Sequence, residues 1–135
     1  MEKMDEVVKW VPAVGYFEGT DPMFLTSLAA EGVETVPIAN TWDHHGKYVG
    51  DLAKGEVSVV VGYLHKIIPA EPVRTSLISV MLNGMFCSCK RHDIPILIVV
   101  PAALQNKAKA IIGDSEVNIR LVPPEELESH VRKYL

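Results

Sequence analysis

The sequence predicts an α/β domain, a three-layer sandwich with a five-stranded parallel sheet, and three observations carry that prediction. Five short runs rich in Val and Ile alternate with five amphipathic or small-residue segments, the pattern of strands joined by crossover helices. Proline and glycine punctuate the segment boundaries at the places where helices begin and end. Most of the reactive side chains fall just after the first three apolar runs, which is where an open α/β sheet gathers its loops at one edge.

Strands are expected near 13–17, 33–39, 57–64, 95–100 and 117–122, and helices near 22–31, 44–54, 72–92, 102–112 and 124–134. Asp21 before Pro22 offers a cap followed by proline at the first helical position, where the missing N–H has no partner to lose. Pro72 and the pair Pro123 and Pro124 give the same kind of start. Gly32, Gly55 and Gly113 stand where helices stop, a position that favours glycine.

Strand character then suggests the order. Central parallel strands are covered on both faces and read as continuous apolar runs, whereas edges tolerate proline and alternation. The runs 57–64 and 95–100 read as central; Pro37 inside the second run and the alternation of 117–122 mark those two as edges. A flavodoxin-like order, 2-1-3-4-5, has those two edges.

A chain of 135 residues, nearly half of them apolar, is long enough for one good core and short for two, so a single α/β domain over 1–135 is expected. Residues 1–11, ending near Trp10, read as an N-terminal arm. The net charge of -4 comes from interspersed acids and bases, so nucleic acid is not an expected partner. No apolar run approaches the length needed to span a bilayer, and a cytoplasmic protein with no membrane partner is expected. Cys87 and Cys89, two apart on one helix, suit neither a mutual disulfide nor a chelate.

Three turns supply the candidate site. After the first strand, Glu18 is placed to act as a general base and Thr20 to hold a hydroxyl or phosphate oxygen. After the second come Asn40, a candidate ligand contact, and Asp43, His44 and His45, which support two readings. Two imidazoles and a carboxylate can contribute to a metal site; equally, Asp43 can cap a helix whose first turn carries two solvated histidines. After the third, His65 can act as acid or base, and Lys66, Arg74, Thr75 and Ser76 can hold an anion together with the free amides of a helix start.

Several activities known on such sheets lack their residues here. A phosphoacceptor receiver needs an acid at the end of strand three, where Tyr63, Leu64 and His65 stand. The corrinoid Asp-x-His-x-x-Gly pattern belongs after strand one, whereas Asp43, His44 and His45 follow strand two. Neither a dinucleotide fingerprint nor a P-loop occurs, and no cofactor is named by the sequence. The apolar residues Leu77, Ile78, Val80, Met81, Leu82, Met85 and Phe86 exceed the stripe that one sheet face requires, so a homodimer through the third helix is expected. The reading that results is a small anionic ligand bound at the C-terminal edge of the sheet, with enzymatic activity left open. The alternatives are a non-catalytic docking or regulatory module and a metal-binding protein.

Overall fold

A computed structural model of the chain describes residues 12–40, 46–68, 75–113 and 118–135. Within them the fold is α/β, with one all-parallel sheet of six strands in the order β3-β2-β1-β4-β5-β6. The strands are β1 (Ala13–Tyr16), β2 (Glu34–Ala39), β3 (Lys47–Tyr48), β4 (Val59–Tyr63), β5 (Ile96–Val99) and β6 (Ile119–Val122). The helices are α1 (Pro22–Ala30), α2 (Leu64–Ile67), α3 (Thr75–Met85), α4 (Cys87–Arg91), α5 (Gln105–Ile112) and α6 (Leu127–Arg132).

The five apolar runs all form strands, but the sheet has six strands rather than five. The second run is therefore not an edge. Part of the segment expected to form a helix over 44–54 instead supplies β3 and a 3-10 turn, Val49–Asp51. Proline limits how far β2 pairs on its outer side. Pro37 has no N–H to donate, and β3 pairs only beyond it, Ile38 with Lys47 and Ala39 with Tyr48. Gly46 permits the approach, because a side chain there would collide with the Pro37 carbonyl.

Two cores flank the sheet. Val14, Val59, Val61, Leu97 and Val99 point to one face, where they meet Phe24 and Leu28 of α1 and Leu127 and Val131 of α6. Ala13, Val60, Ile96 and Ile98 point to the other, against Ile78, Leu82 and Met85 of α3, Cys89 of α4 and Ala108 and Ile112 of α5. Alternate residues of one strand thus feed opposite layers, as the period of two requires. The long helix expected over 72–92 is broken at Phe86, which is fully buried and meets Phe17 edge-on at a ring separation of 6.1 Å. Of the third helix's apolar residues, Ile78, Leu82, Met85 and Phe86 enter this core and Val80 stands 64% exposed. Among the described residues no helix is long and apolar enough to cross a membrane.

Candidate functional site

β1 and β4 are neighbours whose chain connections leave in opposite directions across the sheet. Their C-terminal ends therefore form a topological switch point, the place where open α/β sheets commonly have a crevice.

The β1 turn is built by its own polar atoms. Asp21 accepts a 2.9 Å hydrogen bond from the Met23 N–H and caps α1. Thr20, only 7% exposed, donates from its hydroxyl to the Phe17 carbonyl at 2.7 Å, which leaves acceptor capacity on Oγ1 but no second proton. Gly19 adopts φ +88°, and its missing side chain leaves the surface that the Lys66 stem covers; a Cβ there would stand 3.4 Å from Lys66 Cε.

The β4 turn is the single turn of helix α2, which distributes its side chains in three directions. Ile67 is buried beneath Gly62 and Phe17, in space that a Cβ on Gly62 would occupy. Lys66 turns toward β1, where its Nζ lies 3.5 Å from Glu18 Oε1. His65 turns the other way, edge-on to Tyr63 at 6.3 Å, and with Leu64 lines a cleft of about 450 Å³ between α2 and α5. Asn40, at the tip of β2 and 3% exposed, donates from Nδ2 to the Lys66 carbonyl at 2.6 Å and so ties α2 to a strand two positions away.

Four of the sequence-derived candidates, Glu18, Thr20, Asn40 and Lys66, are thus brought together around the crevice, with His65 on the far side of α2. The contact between Glu18 and Lys66 is partly exposed on both sides, and such pairs are worth only about 0–1 kcal/mol, so either partner is readily exchanged for another charge. Arg74 lies outside the described residues, as do Asp43, His44 and His45; α3 begins at Thr75, but the side chains of Thr75 and Ser76 are likewise outside. Among the described residues, no three His, Cys, Asp or Glu side chains cluster closely enough to hold a metal.

Tyr63 was not among the candidate residues, although it stands between two clefts. One is that of His65; the other, of about 320 Å³, lies between α1 and α6 beside Asp21, Glu125 and Glu128. Burial raises the Tyr63 phenol above its ordinary pKa, and the Asp21 charge adds to the shift. The available signal was its position, the one aromatic residue closing a strand otherwise made of Val and Gly. Lys107, on the α5 wall of the first cleft, carried no signal, because a lysine on an exposed helix face is ordinary.

Comparison with protein-family models and with curated proteins finds no match for this chain.

Proposed function

We propose that the protein binds a small anionic ligand at the C-terminal edge of its sheet, in the crevice between β1 and β4. The observation that carries this reading is the meeting of Glu18 and Lys66 over Gly19 at the switch point. In this reading Lys66 is a cation held in place by its own stem and neutralised by a carboxylate that an incoming anion displaces. Thr20 offers an acceptor to a ligand proton, Asn40 fixes the backbone beneath Lys66, and Arg74, Thr75 and Ser76 add charge and hydrogen bonds from the following segment. Should the ligand react, acid–base chemistry is proposed, with Glu18 or His65 moving the proton and Lys66 or Arg74 holding negative charge.

Titration of inorganic phosphate, followed calorimetrically and by backbone amide shifts, tests the reading. Lys66→Met is expected to weaken binding at least tenfold. Glu18→Gln is expected to strengthen it, because the displaced competitor is gone. If phosphate binds the two variants and the parent alike, the crevice is not the anion site.

The docking alternative, a homodimer through α3, has Val80 in its favour. Sedimentation of the parent and of Val80→Lys tests its self-associating form: a dimer dissociated by Val80→Lys supports it, whereas a monomer at every concentration removes self-association and leaves docking to a larger complex. The metal alternative, centred on Asp43, His44 and His45, is tested by metal content after purification, which the His45→Ala variant should lower.

A further inference from the structure

We infer that the cleft between α2 and α5 is a second ligand site, and that it takes a monocarboxylate with an apolar body. The cleft, of about 450 Å³, falls within the span of about 300–1,000 Å³ typical of small-molecule sites. Its walls are aliphatic: Leu64 and Ile68 at α2, Leu104 before α5, and Ala108 and Ile111 on α5. Leu104 is 47% exposed, one of the few large apolar side chains among the described residues left so open to water, and it faces this cleft. An occupant with an apolar body would cover it, and removal of that surface from water is the driving force.

Charge selects the other end of the ligand. Among the described residues the lining holds two groups able to carry positive charge, His65 and Lys107, and no acid. They stand on opposite walls, His65 on α2 and Lys107 on α5, so an anionic head between them meets a donor from each side. Among the described lining residues the charge-bearing donors are one imidazole and one ammonium, a pair that suits one compact carboxylate. The inference shares His65 with the crevice reading and uses neither Glu18 nor Lys66, so it stands without that reading.

The test compares octanoate, octanol and acetate by amide shifts of the full chain. Octanoate is expected to saturate, with its largest shifts at Leu104, Ala108 and Ile111; octanol is expected to bind at least tenfold more weakly, and acetate to leave these amides unmoved. Lys107→Glu is an exposed change that leaves the core intact, and it should weaken octanoate at least tenfold while leaving octanol within twofold. His65→Gln should weaken octanoate in the same direction. Lys66→Met should leave octanoate unaffected, which separates this site from the phosphate crevice. Octanol binding as tightly as octanoate, shifts located away from the cleft, or octanoate indifferent to Lys107→Glu would each overturn the proposal.

Discussion

Replacement of Gly62 by alanine tests how α2 is held. The new methyl group would stand 2.7 Å from Phe17 Cδ2 and 2.8 Å from Ile67 Cδ1. Carbon atoms rest comfortably at roughly 3.5–4.0 Å, so each neighbour must retreat by about 1 Å. Neither has open space: Phe17 is fully buried against Phe86, and Ile67 is almost fully buried. Overpacking of this kind costs about 1–3 kcal/mol. Loss of glycine freedom in the unfolded chain returns about 0.4–1 kcal/mol, leaving a net destabilisation centred on about 1.3 kcal/mol and reaching at most about 2.6 kcal/mol. Gly84, exposed in α3 with nothing within 4 Å of an added Cβ, is the internal control. There alanine should stabilise by about 0.5–1 kcal/mol through helix propensity. Urea unfolding of the parent and the two variants reads both values. Because Ile67 anchors the helix that carries Lys66, Gly62→Ala should also weaken the proposed phosphate binding under conditions where it remains folded. A Gly62→Ala protein as stable as the parent would refute the packing argument, since the contacts leave no cheaper way to accommodate the methyl group.

Three further outcomes follow from particular contacts. Asn40→Ala removes the donor to the Lys66 carbonyl in a buried setting and should cost about 1–3 kcal/mol in the same unfolding assay. The Arg132 guanidinium hydrogen-bonds Glu31 and holds its carboxyl below the ordinary range, so this pair stabilises the fold above the unfolded carboxylate pKa and ceases to do so as pH falls through the lowered folded value. The difference in thermal midpoint between the parent and Arg132→Met should accordingly shrink on acidification. Finally, burial, with a smaller contribution from Cys87, pushes the Cys89 thiol up to about 12, while Cys87 is exposed. Mass spectrometry after iodoacetamide should find one modified cysteine in the native protein, at Cys87, and two in denaturant.

The sequence carried the central architecture because the physics there is repetitive. Val59, Val60 and Val61 must be apolar on both faces, and that requirement leaves a run visible without any structure. Lys47 and Tyr48 show no such run. Two residues at an outer edge, one of them charged, become a strand through pairing with Ile38 and Ala39, and pairing is not written locally. Gly46 was the available clue, since a backbone approach that excludes a side chain is what glycine permits. The break at Phe86 was hidden for a related reason: periodicity suits one long helix, and the ring's fit against Phe17 is a tertiary demand. At the site, chain order placed Glu18 and Lys66 at one edge. It did not show that His65 and Lys66, adjacent in sequence, face opposite sides of α2, because that depends on which residue of the turn is anchored, and Ile67 is the anchor.

The hydrogen bond from Asn40 to the Lys66 carbonyl has a consequence for binding thermodynamics. It reaches from the tip of β2 past β1 to α2, while Thr20 closes the β1 turn on Phe17, so the described backbone around the crevice is already tied before any ligand arrives. Ordering a flexible side chain on association costs about 0.5–1.5 kcal/mol, and ordering a loop adds to that. Here the backbone share of that cost is met during folding. On the proposed reading, a ligand at this edge would therefore meet little penalty for stiffening the described backbone, and its charge and shape would set the affinity.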